Sequence, residues 1–473
     1  MRNRNVPLQA AAANQPAIAG RASQSKVRKA AGGVLLLLLA VLFWYVFYQN
    51  LPGNPLNGAP PGGDSATMDR TVKIITILVS LIIMATKWSS TRLLLRNINP
   101  GLVAFIVIIP MSTAWSISPN DTLLRSVTLG SIVLLCLAIP LAGWERRRLQ
   151  QVTLPPVMYV LVASLVLGAM YPDRITEIGD DLSQKGAWHG ITYTKNLFGM
   201  MASIGVILCF NLWLARASRP MWALVGAAIG FACLLLSRSS TSLLATVLAV
   251  GFMVLVMRVP VIKDRFSGVV AIGIASALVL FELWVQRVIP GISVILSAIT
   301  SITGKDATFS ARTIIWDIIK EHARGAPWLG TGYGAYWIGP TPNSPSAVFM
   351  WRMFFYPTES HNGYLEILND LGRLGLLCLA IFLFSYVRQA LQLMRFDRAQ
   401  AALYLALLYQ QMVMNMTESE WFSRSSTFAV LLLACTCMSR SLAEFRAREP
   451  QPHPVARPAP RPPARRGRAA PAR

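Results

Sequence analysis

Three side chains in polar connections between long apolar runs are the best candidates for chemistry: His361, Arg312 and Arg238. A guanidinium presents a fixed fork of donors that suits phosphate oxygens. A neutral imidazole can take a proton from a hydroxyl. The combination suits a transfer in which a phosphate-bearing group leaves and a hydroxyl attacks. In PTESHNGYLE, Thr358 as a cap places His361 in the first turn of a helix. The positive helix end there disfavours an imidazolium and keeps the ring neutral. Arg312 falls in the first turn predicted for SARTIIWDIIKEHARG, where a cation opposes the helix dipole and so invites a functional explanation. Arg238, in LLLSRSSTS, closes an apolar run, where a charge is costly unless it snorkels or is paired. Taken singly, each has a plain structural reading: a hydrogen-bonded loop histidine and surface arginines.

The elements that must position them are membrane spans. The chain has 473 residues, 54% hydrophobic and 14% charged, with a mean hydropathy of +0.48; soluble domains average about 25% charged residues. The apolar residues form about twelve blocks of about 16–20 residues, long enough for a hydrocarbon core about 30 Å thick. They lie near 31–48, 72–88, 101–116, 122–142, 154–170, 196–215, 220–236, 240–257, 267–285, 374–390, 400–416 and 425–439. Backbone in lipid must satisfy itself, so each is expected to be a helix, with Pro110 and Pro140 as kink positions. The first block lacks a small-residue cleavage site and reads as a signal anchor. The expected organisation is a basic tail over 1–30, spans over 31–285, and a large outer loop over 286–360. A loop-exit helix and the last spans follow over 361–441, then a Pro/Arg-rich tail over 442–473.

The net charge is +23. Nucleic acid is the usual partner of such a charge, but here the basic residues cluster in short connections and in both tails, the pattern of the positive-inside rule. That pattern places both termini in the cytoplasm and His361, Arg312 and Arg238 on the opposite side. The six cysteines all fall within apolar blocks, so they supply neither a disulfide for an exported loop nor a metal site. The two halves show no internal repeat of the kind that transporters carry.

Two outer loops are long. Pro172–Lys195 is acidic and ends beside Asn196. Gln286–Ser360 is rich in aromatic and apolar residues, and loops of that length are functional or disordered. Within it, Ile292–Thr303 reads as an interfacial or re-entrant helix. Ile314, Ile315, Ile318 and Ile319 fall on one helical face. Gly330, Gly332 and Gly334 in APWLGTGYGAYW read better as a tight turn than as a phosphate loop, because no Lys-Ser/Thr follows and no strand precedes. Trp328, Tyr333, Tyr336, Trp337, Phe349, Trp351, Phe354, Phe355 and Tyr356 fit either an aromatic belt at the bilayer surface or flat faces for sugar and isoprenoid. The segment 339–355 matches no motif. No D-x-D occurs in an outer loop, so a metal-held diphosphate is not expected.

In order along the chain, several motifs resemble the O-antigen ligase/polymerase superfamily of Wzy-like polymerases, WaaL-like ligases and ExoQ-like exopolysaccharide polymerases. They are W-S-x-x-P at Trp115–Pro119, K-N at Lys195–Asn196, S-R-S at Ser237–Ser239 and R-x-x-x-W at Arg312–Trp316. P-W-L-G-T-G-Y-G at Pro327–Gly334 and H-N-G-Y-L-E at His361–Glu366 complete the set. The spellings come closest to the ExoQ type. The resemblance implies an all-α, GT-C-like membrane glycosyltransferase with a partly helical periplasmic loop, in the bacterial inner membrane. Such an enzyme takes a glycan from undecaprenyl diphosphate, joins it to an acceptor saccharide, and uses no metal or other cofactor. It works among membrane lipids and beside polysaccharide export or chain-length proteins. By matching motifs, Arg238 and Arg312 bind the diphosphate and His361 accepts the proton. Lys195, Asn196, Trp316, Tyr333, Asn362 and Tyr364 are the implied substrate-binding positions. Transfer of glycan to lipid A–core is the alternative within the family; a lipid-linked sugar transporter or a non-catalytic secretion scaffold are alternatives of other classes.

Overall fold

The computed structural model describes residues 33–48, 63–177, 185–216, 220–286, 310–339 and 344–448. The basic N-terminal tail, the expected 292–303 helix and the Pro/Arg-rich C-terminal tail lie outside the described residues. Those described are helical apart from connections and one isolated bridge, Thr176 with Trp188. In chain order the helices are α1 Gly33–Tyr48, α2 Gly63–Thr86, α3 Trp88–Leu95, α4 Pro100–Met111, α5 Pro119–Ala142, α6 Arg148–Met170, α7 Lys195–Leu214 and α8 Pro220–Leu236. They continue as α9 Ser240–Arg258, α10 Ser267–Val285, α11 Ser310–Ala323, α12 Val348–Met353, α13 Gly363–Met394, α14 Arg398–Met414 and α15 Ser426–Arg448.

Each of the twelve apolar blocks falls on one of these helices, but the lengths sort them. Among the described residues, seven helices are long and apolar enough to cross a membrane, or eight if the pair α2–α3, bent by 98°, is one span. Gly33–Tyr48, Pro100–Ala114 and Pro220–Leu236 are apolar but shorter. The protein is therefore a multi-pass membrane protein. In helix α14 every residue from Gln400 to Met414 is buried inside the bundle. It packs against α9, α13, α15 and α7. Peripheral helices turn large apolar side chains outward, among them Ile82, Val107, Val247 and Phe384, as a hydrocarbon surround requires.

Helix α13 is the element that matters most for the site. It breaks at Gly372, whose φ of +64° and ψ of −158° are accessible only to glycine without strain. The residues 326–334 are spliced into the break. Amides of Thr331 and Gly332 donate to the carbonyls of Asn369 and Asp370, at 3.0 and 2.9 Å. Past the break, amides of Arg373 and Leu374 donate to the carbonyls of Pro327 and Trp328, at 2.9 and 3.2 Å. A tight turn is thus the right reading of the glycine-rich segment, and its purpose is to satisfy the backbone groups that the broken helix exposes. The segment also meets the W-S-x-x-P stretch, since Ile117 N donates to Thr331 O (3.0 Å) and Trp115 Nε1 to Leu329 O (2.9 Å).

The outer loop folds onto this frame. Ile315, Trp316, Ile318 and Ile319 of α11 form a second apolar core with Tyr336, Trp337, Phe349 and Leu365. Ile314 does not share that face and is 48% exposed; Trp316 joins the core instead. The aromatic stretch divides likewise. Tyr333, Tyr336, Trp337 and Phe349 are interior, whereas Trp351 and Phe354 are 82% and 90% exposed. All six cysteines are buried and free.

Candidate active site

His361 sits between two fully buried residues that leave it no freedom. Ser360 Oγ donates to Asn362 O (2.7 Å) and accepts from Asn362 N (3.2 Å). Glu366 Oε2 accepts the Ser360 amide (3.0 Å), and Trp316 Nε1 donates to Ser360 O (3.1 Å). Asn362, not Thr358, caps α13: its Oδ1 accepts from the amides of Tyr364 and Leu365. His361 therefore precedes the helix rather than lying in its first turn, with φ at +51°. A non-glycine residue in that region costs about 1–2 kcal/mol, and the hydrogen bonds on both sides hold it there. Strain maintained in this way is a feature of functional positions.

The ring is not left neutral. Its Nδ1 lies 3.1 Å from Glu359 Oε1 and 3.7 Å from Glu418 Oε2. Burial opposes the charged form, but these two carboxylates outweigh it and push the imidazole up to about 9. The ring does not stay neutral as its helix-end position predicts, because paired carboxylates at contact distance exceed a helix-end field worth about 0.3–1 kcal/mol.

Glu418 ties the site together. It lies in the connection between α14 and α15 and is largely buried. Its Oε1 accepts from Asn196 Nδ2 at 2.7 Å and meets Arg312 Nη2 at 3.3 Å; its other oxygen faces His361. Arg312 also donates through Nη1 to Thr417 O (2.7 Å), so the cation expected in the first turn of α11 is offset by a carboxylate and a carbonyl. The connection is shaped by Asn415, whose Oδ1 accepts the amides of Glu420 and Trp421 (2.9 and 2.7 Å) and whose carbonyl accepts Gly363 N (2.8 Å). Nearby, burial pushes the Glu420 carboxyl up to about 7, although the Ser425 and Thr427 hydroxyls donate to it.

Of the residues picked from sequence, His361, Arg312 and Asn196 meet on one carboxylate. Arg238 does not join them directly. It is exposed in the α8–α9 turn at φ +48°, with Nη1 donating to Lys185 O (2.9 Å). Its neighbours Ser237 and Ser239 pack on Gly199 in the first turns of α7, the helix whose start carries Lys195 and Asn196. The Lys195 amide donates to Glu177 Oε1 (3.1 Å). Of the remaining four, Trp316, Asn362 and Tyr364 frame the site, whereas Tyr333 stands between Thr122 and Phe422. Trp316 and Asn362 are buried, and Asn362 Nδ2 donates to Glu282 Oε1 (2.9 Å). Tyr333 and Tyr364 spend their hydroxyls on the carbonyls of Phe422 (2.6 Å) and Met412 (3.2 Å). Sequence reasoning missed Glu359 and Glu418. Their only signal was a carboxylate next to the histidine in TESH and two more in the short outer connection TESE.

Glu359, His361 and Glu418 also place three ligand atoms within 4.8 Å of one another, a spacing that a divalent cation can use. One feature of the group argues against that use: Arg312 and Asn196 already occupy one oxygen of Glu418.

Residues 225–380 match the O-antigen ligase family. The match takes in Arg238, Arg312 and His361 and stops short of Glu418. The chain is also 26% identical over 313 residues to the exopolysaccharide production protein ExoQ of Rhizobium meliloti (strain 1021), covering 63% of this chain and 66% of that relative. The resemblance drawn from the motifs is borne out by both, and they support a polysaccharide polymerase or ligase role.

Proposed function

We propose that the protein joins saccharides carried on undecaprenyl diphosphate, polymerising repeat units into an exopolysaccharide at the outer, periplasmic face of the inner membrane. The observation that carries this reading is the meeting of Arg312 and His361 on Glu418. A cation for a departing diphosphate and a proton acceptor for an attacking hydroxyl are thereby held at fixed spacing. In the reaction, His361 removes the proton from the acceptor hydroxyl. The hydroxyl oxygen bonds the donor's anomeric carbon, and the bond from that carbon to the diphosphate oxygen breaks. Undecaprenyl diphosphate leaves with the electron pair, its charge offset by Arg312 and Arg238. Glu359 and Glu418 stabilise the imidazolium that forms, as a buried carboxylate does in a Ser-His-Asp triad.

The raised His361 value favours a second assignment as well: an imidazolium that helps hold the diphosphate, with a carboxylate as base. The pH profile separates them, since a base gains activity as pH approaches about 9 and a cation loses it. The decisive assay is reaction of the purified protein with defined lipid-linked oligosaccharides, reading product size and linkage. His361→Ala is expected to form no polymer, and normal polymer from a well-expressed variant removes His361 from the chemistry. In a strain lacking the protein, loss of high-mass polysaccharide with normal lipopolysaccharide supports polymerisation, whereas accumulation of unligated O-antigen supports the ligase. Movement of lipid-linked sugar across liposomes without joining supports a transporter.

A further inference from the structure

A groove between α4 and α5 takes no part in the site above. It encloses about 260 Å³ and is lined by Leu102, Phe105, Ile109, Ser126, Val133 and Phe422, among others. The one hydroxyl in it, Ser126 Oγ, donates to Thr122 O (2.6 Å), so the walls are apolar. Ile106 on its rim and the flanking Val103, Val107 and Val127 are exposed. The groove therefore opens sideways to hydrocarbon rather than upward to water.

Two arginines neighbour residues that line its outer end, Ser126 and Phe422. Arg125 adjoins Ser126 on α5. Its Nη2 donates to Trp337 O (3.3 Å), and its Nη1 lies 2.7 Å from where a Cβ on Gly334 would be. Arg424 follows Phe422 by two residues, is exposed, and makes no hydrogen bond or ion pair among the described residues. Ser126 and Phe422 line the same groove, so the residues that carry the two guanidiniums flank one cavity. Tyr333 binds the group together, donating to Phe422 O and accepting from Thr122 Oγ1 (3.1 Å). The nearby carboxylates offset part of this charge, Asp370 that of Arg125 and Asp69 that of Arg424; Asp370 Oδ2 also accepts the Gly334 amide (2.7 Å), and Asp69 pairs with Lys73. Like charges gathered at a membrane boundary are unfavourable unless an anion belongs between them.

We infer that this groove, with Arg125 and Arg424 at its mouth, is a second lipid-diphosphate site that seats the lipid-linked acceptor, while Arg238 and Arg312 hold the donor. The inference rests on the proposed joining of two lipid-linked saccharides, which needs two lipids bound at once. Asp370, behind Arg125, and His361 lie at opposite ends of the short first half of α13. Nine residues of helix span about 13 Å, so sugars extending from a phosphate at the arginines reach the histidine along that helix.

The test uses the full-length protein in nanodiscs with a photoreactive polyprenyl diphosphate. Kinetics use a donor with its acceptor hydroxyl blocked and an acceptor made non-transferable by a phosphonate link. Arg424→Gln removes a side chain with no internal bond. Gly130→Leu fills the groove, since a Cβ there meets nothing within 4 Å. Each is expected to abolish labelling of α4 and α5 peptides and to raise the acceptor KM tenfold or more, with the donor KM within twofold. Equal effects on both KM values, or none, overturn the inference, as does competition by inorganic diphosphate or by polyprenol as strong as by polyprenyl diphosphate. If the unaltered protein joins no saccharides, the glycosyl-transfer reading fails. If it does join them while both variants keep the acceptor KM, only the second site fails.

Discussion

Replacing Glu359 by glutamine should make the enzyme faster near neutral pH and slower in alkali. The carboxylate lies 3.1 Å from His361 Nδ1 and, with Glu418, raises the imidazole from 6.5 to about 9. That shift corresponds to about 3.4 kcal/mol. At pH 7.5 it leaves about 3% of the ring neutral and able to act as a base. Removing the nearer carboxylate should return about one unit, bringing the value to about 8 and the neutral fraction to about 24%. The weaker base loses about threefold in intrinsic rate for a Brønsted slope of about one half. The net result is a gain of about two- to threefold in kcat/KM at pH 7.5 and a loss of about threefold above pH 9.5. The two pH profiles must cross. Glutamine keeps the shape, so stability follows the same linkage. A raised folded value contributes stability in full below about 6.5 and loses it as pH rises toward and through about 9. The melting temperature of the parent protein should therefore fall across that window, and that of Glu359→Gln should fall less. The assay is kcat/KM from pH 6 to 10 with defined lipid-linked substrates. Coincident profiles, or a parent rate that declines through pH 9, would refute His361 as the base.

Three further outcomes follow from the geometry. Arg312→Lys keeps the charge but loses the fork that reaches both Thr417 O and Glu418; losing one charged hydrogen bond, about 1.5–3 kcal/mol, should lower kcat/KM about ten- to hundredfold. Full activity would argue against two-point contact with phosphate. Gly363→Ala places a Cβ 1.9 Å from Asn415 Oδ1; a cost of about 1–3 kcal/mol is expected. Displacing Asn415 should also free Glu418, so activity should fall further than the melting temperature indicates, and a stable, fully active variant would contradict the role given to Asn415. Prolonged treatment with EDTA should leave polymer formation unchanged; restoration of a lost rate by one added divalent ion would instead assign a metal to Glu359, His361 and Glu418.

The helical membrane fold was legible because apolar blocks and basic connections are local signals, read without knowing which helices touch. Span number was less so, because apolar blocks such as Gly33–Tyr48 and Pro220–Leu236 form helices shorter than the spanning ones, and apolarity does not encode where a helix ends. His361 and Arg312 stood out as charged or titratable groups in awkward local settings. Glu418 did not: it joins them from a connection that lies far along the chain, and no periodicity encodes that meeting. The same reason explains the error about the histidine's charge. Sequence supplies the helix-end field, but the carboxylates that reverse it arrive through tertiary structure. The glycine-rich segment was read correctly as a turn, yet its partner, the break at Gly372, came from a helix more than thirty residues away.

That break has a bearing on the lipid. Hydrophobic mismatch makes spanning helices tilt, at modest cost per ångström. In a continuous α13, a tilt of the spanning half would swing the histidine at its outer end through an arc. Gly372 interrupts that lever, and the outer half is fastened instead to residues 326–334 and, through Gly363, to Asn415. A thicker or thinner bilayer therefore reorients residues 373–394 while the spacing between His361 and Arg312 is kept. The geometry of the proposed site is indexed to the protein's own outer layer, and turnover should vary little with acyl-chain length.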